Sequence, residues 1–500
     1  MLHVGHAPAN ASSTNVHPFP RLADFRREDK SRLMSMVVIR GTIRACDLAI
    51  IVILGLAVAA FYVDEPNVLT NTYYLAAVGM TAAVTVAAFD IMGLYSLASL
   101  NSFIRQMSRV VLAWTAAFAL LLAAAFFFKA GHELSRVWFV AWYASGIVLL
   151  LGSRVVSASL IRRWTRQGLL YRRAAIFGSG QITQKLLSDL ETDMDADIRI
   201  TGIFDDRNDK RVDPVVGGYP RIGGLQQLVS YARSSRLDMV IVALPITAEK
   251  RVVQVTRALA VLPAEVKLPA RATELRFAKS TYSHVGNVAM IDLLHKPIAD
   301  WGSVSKWIFD KTVGALALTL LAPLMLLIAA AIKLDSRGPV FFRQKRYGFN
   351  NELIEVFKFR SMYTDRCDAN ASKLVTKDDP RVTRVGRFIR KTSIDELPQL
   401  FNVLLGNLSL VGPRPHALQA KAAGDLYDSV VDGYFARHKV KPGITGWAQI
   451  NGWRGETDTP EKIQKRVECD LYYIENWSLL LDAYILLKTP FALLKSENAY

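Results

Sequence analysis

The sequence has few cysteines and comparatively few acidic residues. Its 500 residues include three cysteines, Cys46, Cys367 and Cys469, and no two of them form a C-x-x-C pair. This spacing supports neither a disulfide framework nor a zinc knuckle. The 44 acidic residues are outnumbered by 61 Lys and Arg, so the formal net charge is +17. Such a balance favours anionic partners, such as lipid head groups or phosphorylated substrates.

Nucleic acid would also suit the positive charge, but the motifs that usually accompany it are absent. The sequence shows no helix-turn-helix, zinc-finger or RNP-like aromatic pattern. Much of the charge instead flanks apolar runs. We therefore predict no nucleic-acid partner.

Length and hydropathy together indicate a multidomain membrane protein. A chain of 500 residues has room for two or three domains of the usual size. Hydrophobic residues make up 51% of it and the mean hydropathy is +0.20, which is high for a soluble protein of this size.

Four apolar runs in the first third of the chain predict membrane-spanning helices. They are residues 45–63, 73–95, 110–128 and 137–151. Each approaches the ~20 residues that a helix needs to cross a bilayer, although the fourth is short. The first run follows more than forty residues and precedes three similar runs, which argues against a cleaved signal peptide. We predict a disordered tail over 1–36 and four spans within 37–155.

Basic residues flank these runs unevenly. Fifteen Lys and Arg lie in the three segments that would share one side of the membrane, residues 1–44, 96–109 and 154–173. The loops on the other side contain two, Lys129 and Arg136. Because Lys and Arg concentrate on the cytoplasmic side, the amino terminus and everything after Arg154 are predicted to be cytoplasmic.

From about residue 171 the pattern changes to short β-rich runs that alternate with helical ones. Residues 173–177 and the following Gly178-Ser179-Gly180 predict a strand, a glycine turn and a helix start, as at the opening of a Rossmann fold. However, Thr183 stands where a dinucleotide-binding loop needs a third small residue. We therefore predict a degenerate Rossmann-like α/β domain over 171–295 that regulates or oligomerises. Cofactor binding is the alternative.

A fifth apolar run, residues 313–332, is long enough to span a membrane, but three features favour a re-entrant hairpin. Pro323 lies at its middle, where it removes a helical hydrogen bond. Both flanks are basic, whereas a true span should show asymmetry. A full crossing would also carry the rest of the chain outside the cell, away from the cytosolic substrates considered below.

The next segment alternates basic and apolar side chains. Residues 338–348 and 353–362 predict two strands joined by a turn. The period of two would direct several cations to one face beside the membrane, where they could hold a phosphate. The candidates are Arg346, Lys358 and Arg360. A solvated, positive-inside surface is an equally good interpretation of any one of them.

Adjacent carboxylates stand out in residues 387–404. Ser393 followed by Glu396 forms a capping-box pattern, which predicts a helix start and is also the simplest interpretation of the acids. Arg390 upstream and Arg414 downstream suit a diphosphate. Because neighbours on a helix point ~100° apart, Asp395 and Glu396 should divide their roles. One carboxylate could attack phosphorus while the other holds Mg²⁺ against the diphosphate.

With these motifs, the region from about 303 to 495 resembles the bacterial sugar transferases of the polyprenyl-phosphate hexose-1-phosphate transferase family, in their long form. The matching stretches are KFRSM at 358–362, SIDELPQLFN at 393–402, LSLVGPRP at 408–415 and KPGITGW at 441–447. The four spans and the degenerate α/β domain resemble the longer members. Residues 447–457 resemble members that use UDP-glucose and start exopolysaccharide synthesis.

The resemblance implies a two-step reaction in which an aspartate attacks a UDP-sugar, UMP leaves, and undecaprenyl phosphate takes the sugar phosphate. It implies that Asp395 is the nucleophile, that Glu396 binds Mg²⁺, that Arg390 and Arg414 contact phosphates, and that Pro323 breaks the re-entrant helix. In one departure, Ala322 occupies the place before that proline where the family often has serine. A serine hydroxyl could satisfy freed backbone groups, so this helix break is less well supported here.

The predicted fold is therefore a four-span α-helical bundle, a cytoplasmic Rossmann-like α/β domain, and a monotopic α+β catalytic domain with a re-entrant helix over 303–500. The predicted location is a bacterial inner membrane. The sequence leaves open the sugar and the oligomeric state, with a homo-oligomer among the options. Two rival functions remain, namely a non-enzymatic scaffold or regulator of polysaccharide assembly, and a membrane-tethered oxidoreductase that uses the Gly178 loop.

Overall fold

The computed structural model divides the chain into two compact units, residues 31–171 and the residues from 172 onward. It describes residues 35–495 except 64–70, 96–102, 168–169, 193–197, 208–213, 236, 271–282, 365–378, 416–420, 423–424, 427–433 and 454–458. The predicted tail over 1–36 therefore lies almost wholly outside the described residues, as does Cys367. The described cysteines, Cys46 and Cys469, are free.

Four long helices form the first unit, one at each predicted apolar run. They are α1 (Met36–Tyr62), α2 (Thr72–Ile91), α3 (Phe103–Phe127) and α4 (Arg136–Arg166). Three of them begin at a polar residue whose side chain accepts a hydrogen bond from a first-turn N–H group: Ser35, Asn71 and Ser135. By length and composition, all four could cross a membrane. The fourth helix has 31 residues and is longer than the apolar run 137–151 predicted.

Tryptophans and glycines hold these helices together. The indole of Trp138 donates to the carbonyl of Gly55 at 2.9 Å, and that of Trp142 donates to Ile51 at 3.2 Å. A Cβ atom at Gly55 would lie 2.8 Å from the Trp142 ring, and one at Gly146 would lie 2.4 Å from Trp114. Because lipid tails are as apolar as the side chains, close packing and hydrogen bonds of this kind are what associate membrane helices.

An ion pair also joins the first and last of these helices. Arg154 of α4 donates to Asp47 of α1 at 2.5 Å, and both side chains are buried. The Tyr95 hydroxyl donates to the same carboxylate at 3.0 Å. A charge in such a setting is tolerated only when it is paired, so the two residues depend on each other.

An eight-stranded sheet forms the core of the next domain. Five parallel strands lie in the order β4 (Tyr219–Gly223), β2 (Ile198–Phe204), β1 (Arg172–Phe177), β5 (Met239–Val242) and β6 (Glu265–Pro269). The edges are completed by β3 (Val215–Val216) on one side, and by β8 (Val288–Leu294) and β7 (Ser283–Val285) on the other. Its helices are α5 (Gln181–Glu191), α6 (Leu225–Ser234) and α7 (Glu249–Leu259). The predicted α/β pattern is therefore present here.

The C-terminal domain begins with α8 (Asp300–Asp335) and an antiparallel hairpin, β9 (Phe341–Tyr347) and β10 (Leu353–Phe359). Two short helices, α9 (Arg384–Lys391) and α10 (Gln399–Leu405), follow. The strands β11 (Ser409–Val411) and β14 (Gly443–Thr445) pair in parallel. The remaining elements are β12 (Lys421–Ala422), β13 (Asp425–Leu426), α11 (Trp447–Ile450), α12 (Pro460–Glu475) and α13 (Leu479–Lys495).

The helix α8 continues through Pro323 without interruption. Pro323 therefore lies inside one helix, where a proline removes a backbone hydrogen bond and can kink the axis without ending the helix. The break at Pro323 and the re-entrant path both stay predictions. At ~1.5 Å per residue the 36 residues of α8 would extend about 54 Å if straight. By length and composition, α8 could cross a membrane.

Both halves of α8 pack against the C-terminal domain. In the first half, Lys306 donates to Asp482 at 2.7 Å and to the carbonyl of Val411 at 3.0 Å. In the second half, Ile332 is buried with Phe359 of β10 and Ile389 of α9. The same domain thus contacts the helix on either side of Pro323.

The α/β domain contacts the C-terminal domain through the end of α6. The side chain of Asn350, in the β9–β10 turn, donates to the carbonyl of Ala232 at 3.1 Å. The guanidinium of Arg233 lies 4.8 Å from the ring centre of Phe435. The first contact connects the α/β domain to the hairpin that carries Arg346 and Lys358, and the second connects it to the 3₁₀ helix Tyr434–Lys439.

Candidate functional site

The two carboxylates lie in a short 3₁₀ helix, Ile394–Glu396, between α9 and α10. Ser393 precedes it with φ +59°, and its side chain makes no capping hydrogen bond. A capping residue normally has extended backbone angles, so the predicted capping box is wrong. The nearest side-chain cap belongs instead to Thr383, which accepts from Gly386 at the start of α9. Capping therefore does not explain the pair of acids.

Glu396 is held by two cations from different elements. Lys358, near the end of β10, donates to Oε1 at 2.9 Å. Arg414, which follows β11, donates to Oε2 at 3.0 Å and to Oε1 at 2.5 Å. The Glu396 side chain is 13% exposed. The arrangement is a bidentate, charge-assisted pair with a further lysine on one oxygen, which is among the stronger polar interactions in proteins.

These cations decide the ionisation of Glu396. Burial alone would raise the pKa of this carboxyl. The charges of Arg414 and Lys358, together with their hydrogen bonds, outweigh burial and hold the pKa of Glu396 well below its usual range. Glu396 is thus a fixed negative charge at neutral pH.

Asp395 lies in a different environment although it is the adjacent residue. Within the described part of the chain, no hydrogen bond or ion pair reaches its carboxylate. Burial raises the pKa of Asp395 to about 6, and the charge of Glu396 adds to that effect, while Lys358, Arg390 and Arg414 oppose it. Asp395 is therefore ionised at pH 7 but is a stronger base than an ordinary carboxylate.

Arg390 and Arg346 contribute in different ways. Arg390, at the end of α9, is near enough to lower the pKa of Asp395, and it makes no hydrogen bond to either carboxylate. Arg346 of β9 donates to the carbonyl of Pro415 and, at 2.8 Å, to Gln344. Burial and then the charge of Arg414 lower the pKa of Arg346 to about 10. Arg346 therefore supports the loop that carries Arg414.

The structure places Arg360 apart from this cluster. Its guanidinium donates to the carbonyls of Ser336 and Arg337 at 2.7 Å each, and to that of Ile332 at 3.3 Å. Ser336 and Arg337 directly follow α8, and the Ile332 carbonyl in its last turn also accepts from the Ser336 N–H group at 3.2 Å. A cation is favourable at this end of a helix. The prediction that Arg360 holds phosphate is therefore corrected, and we assign it to closing the helix.

Asn402 and Arg437 are site-building residues that the sequence patterns did not single out. The amide of Asn402 accepts from Phe357 at 2.9 Å and donates to the carbonyl of Glu355, so it joins α10 to β10 beside Lys358. Arg437 donates to the carbonyl of Arg414 at 2.7 Å. Asn402 lies in the stretch SIDELPQLFN, but no role was predicted for it from the sequence. The position of Arg437 in the sequence does not indicate that Arg414 is its partner.

The chain thus contains long apolar helices and two adjacent carboxylates surrounded by cations, a combination typical of membrane-associated enzymes that handle phosphorylated substrates. A family model described as bacterial sugar transferase matches residues 301–496, and one described as a CoA-binding domain matches residues 90–270. The sugar transferases described below are similar to this chain well beyond residues 301–496, one of them over 92% of the chain's length. The chain belongs to the bacterial sugar transferase family, which confirms the family predicted from its motifs.

Three relatives illustrate the similarity. An undecaprenyl-phosphate glucose phosphotransferase of Komagataeibacter xylinus is 42% identical over 361 residues, 72% of this chain and 66% of the relative. A UDP-glucose:undecaprenyl-phosphate glucose-1-phosphate transferase of Xanthomonas campestris pv. campestris is 33% identical over 460 residues, 92% of this chain and 94% of the relative. The exopolysaccharide production protein PSS of Rhizobium leguminosarum bv. phaseoli is 50% identical over 186 residues, 37% of this chain and 93% of the relative.

The glycine loop of the α/β domain does not fit the nucleotide ligand that its fold and the CoA-binding description imply. The carboxylate of Asp205 accepts from the Ser179 N–H group at 2.9 Å and from the Ser179 hydroxyl. Asp205 thus occupies both donors of Ser179 and adds a negative charge beside the glycine turn, where a pyrophosphate would bind. Thr183 is buried, and its hydroxyl donates to the carbonyl of Gly178 at 2.7 Å. The oxidoreductase alternative therefore finds no support at this loop.

The raised pKa of Asp395 predicts that this residue destabilises the folded protein at neutral pH. Its folded pKa of about 6 exceeds the reference value of 3.8, so the folded state is penalised as the pH rises above about 4. Asp395→Asn should raise the free energy of unfolding by about 1 to 3 kcal/mol at pH 7.5. The gain should shrink to less than about 1 kcal/mol at pH 4. Thermal unfolding of the detergent-solubilised protein at both pH values measures this.

Asp379→Asn is the control with the opposite sign. Hydrogen bonds from Arg381 lower the pKa of Asp379 to about 2, so its ionised form stabilises the fold and its loss should lower the melting temperature at pH 7.5. A lower melting temperature for Asp395→Asn at pH 7.5 would contradict the assignment of a penalised carboxylate.

Proposed function

We propose that this protein transfers glucose 1-phosphate from UDP-glucose to undecaprenyl phosphate, releases UMP, and thereby starts exopolysaccharide synthesis. The names of the Komagataeibacter and Xanthomonas relatives support the reaction, and that of the Rhizobium relative supports the pathway. One observation carries the proposal. Glu396 is held by Lys358 and Arg414, whereas the adjacent Asp395 carboxylate accepts no hydrogen bond from the described residues.

In the proposed mechanism Asp395 is the nucleophile. An oxygen of its carboxylate attacks the β-phosphorus of UDP-glucose, the bond from that phosphorus to the bridging oxygen breaks, and UMP leaves with that oxygen. A phosphate oxygen of the lipid then attacks the same phosphorus, and the Asp395 carboxylate is released. The absence of hydrogen-bonded partners among the described residues, and a pKa near 6, suit Asp395 to this role.

The cations stabilise the charge that develops on the phosphoryl oxygens. A guanidinium has five N–H donors, and two N–H···O contacts of Arg414 go to Glu396. Its remaining donors, with Lys358 and Arg390, form the proposed contacts to the diphosphate. Arg346 keeps the Arg414 loop in place from β9.

Mg²⁺ is the proposed metal, with Glu396 as its protein ligand. Carboxylate oxygens are the ligands that Mg²⁺ prefers. Oε1 of Glu396 accepts from both Lys358 and Arg414, whereas Oε2 accepts from Arg414 alone among the described residues and keeps a second lone pair for a metal. No group of three acidic, His or Cys side chains that could hold a metal occurs among the described residues. The rest of the coordination would therefore come from the diphosphate and water, as is usual for Mg²⁺ in phosphoryl transfer. When bound, the ion would neutralise charge on the diphosphate.

UMP release tests the reaction. Purified protein given UDP-glucose, undecaprenyl phosphate and Mg²⁺ should release UMP, and Asp395→Asn should lower the rate at least about 1,000-fold, since an amide cannot act as the nucleophile. Intact-mass spectrometry without the lipid should find a hexose-phosphate adduct on Asp395. EDTA should stop release, and added Mg²⁺ should restore it.

Glu355→Gln is the matched control, because this exposed carboxylate of β10 lies next to Arg343 and away from the acidic pair. It should keep the UMP release rate. A non-enzymatic scaffold or regulator would release no UMP under any of these conditions. Equal rates for Asp395→Asn and the unaltered protein would refute the nucleophile.

The pH dependence follows from the pKa of Asp395. Only the ionised carboxylate attacks phosphorus, so kcat/KM should fall as the pH drops through about 6 and should be about tenfold lower at pH 5 than at pH 7.5. Glu396 stays ionised throughout this range. Lys358→Met removes a charge that lowers the pKa of Asp395, so the acid limb should move to higher pH. A profile that is flat between pH 5 and 7 would contradict this role.

We also propose that α1–α4 are four spans of a bacterial inner membrane, that α8 is re-entrant, and that both soluble domains face the cytoplasm. The uneven distribution of basic residues and the packing of both halves of α8 on one domain support this.

Membrane-impermeant maleimide labelling tests the topology. In a background without native cysteines, Glu133→Cys, in the loop before α4, should react in intact spheroplasts. Glu468→Cys, on the exposed side of α12, should react only after lysis. Labelling of Glu468→Cys in intact spheroplasts would show that α8 crosses the membrane.

A further inference from the structure

Arg437 is a fully buried cation that the mechanism above does not use. It lies in the 3₁₀ helix Tyr434–Lys439 and is 0% exposed. Its Nη2 atom lies 2.6 Å from an oxygen of Asp470, in α12, and donates to the carbonyl of Arg414 at 2.7 Å. Nη1 donates to the hydroxyl of Tyr434 at 3.3 Å.

A buried ion pair is weak evidence for stability by itself. Removing two charges from water is costly, and apolar residues of similar volume often serve a core as well or better. The Arg437–Asp470 pair is therefore better explained by what else Arg437 contacts, which is the backbone of the residue that clamps Glu396.

The loop that carries Arg414 can be held only through a limited set of backbone groups. Prolines flank Arg414 on both sides and have no N–H group to donate. Three successive carbonyls accept hydrogen bonds from three different elements. Gly443 of β14 donates to Pro413 at 3.0 Å, Arg437 donates to Arg414, and Arg346 of β9 donates to Pro415.

We propose that Arg437 is a positioning residue, whose hydrogen bond to the Arg414 carbonyl keeps the Arg414 guanidinium on both oxygens of Glu396. Arg437 touches neither the carboxylates nor a substrate, and it acts through Arg414. Asp470 in turn holds Arg437 from α12. The proposal deepens the proposed function and rests on it.

The test must separate positioning from folding, so it uses a double variant. Arg437→Met with Asp470→Leu replaces the ion pair by apolar side chains, which a core commonly tolerates. The variant should fold with a melting temperature near that of the unaltered protein. It should lose about tenfold or more in kcat for UMP release with little change in KM, because the bond to Arg414 is gone.

A second readout does not depend on turnover. The pH-dependent ¹³C shift of the Glu396 carboxyl carbon, assigned with Glu396→Gln, reports the pKa of this residue. In the double variant that pKa should rise toward its ordinary value, since Arg414 no longer holds both oxygens. A purely structural Arg437 would leave it unchanged.

Arg466→Met is the matched control. Arg466 is a second buried arginine near Asp470, and it donates to the carbonyl of Trp453. Its replacement should keep both the kcat and the Glu396 pKa. The outcomes remain distinguishable, since no UMP release by the unaltered protein would refute the proposed function, while the Glu396 pKa would still test Arg437. An active double variant with an unchanged kcat and an unchanged Glu396 pKa would refute the positioning role alone.

Discussion

The C-terminal domain is arranged around one interaction, in which Lys358 and Arg414 hold the ionised carboxylate of Glu396. Each partner comes from a separate element, the end of β10, the loop after β11 and the turn between α9 and α10. A half-buried charge is tolerated only while its partners stay in place. The surrounding structure therefore has to hold three backbone segments at fixed positions.

Much of that structure serves this purpose by satisfying backbone groups with side chains. Asn402 joins α10 to β10, Arg360 closes α8, and Arg346 and Arg437 support the Arg414 loop. The charge of the clamp also acts on its neighbour, because Glu396 raises the pKa of Asp395 while the nearby cations limit that rise. One residue is thereby kept as a fixed anion and the adjacent one as a base.

The helical unit also relies on side chains that bond to backbone groups, here between apolar helices. Tryptophan N–H groups donate to helix carbonyls, glycines admit the rings, and Asp47 and Arg154 pair inside the bundle. Without a strong hydrophobic drive between helices in lipid, such contacts supply the specificity. In the α/β domain, Asp205 similarly satisfies the Ser179 donor at the glycine loop from within the chain.

Patterns within short stretches of the sequence were sufficient to predict the apolar helices, the α/β alternation, the β9–β10 hairpin and the candidate acids, because each depends on local periodicity or on adjacent residues. Tertiary contacts decided what each polar residue does. Ser393 has a left-handed backbone and makes no capping bond, Arg360 closes a helix instead of facing the acids, and α8 continues through Pro323. Two partners of Arg437, Arg414 and Asp470, lie 23 and 33 residues away in the sequence. Only the folded chain brings them together, because hydrogen-bond partners are selected by distance in space and not by spacing along the chain.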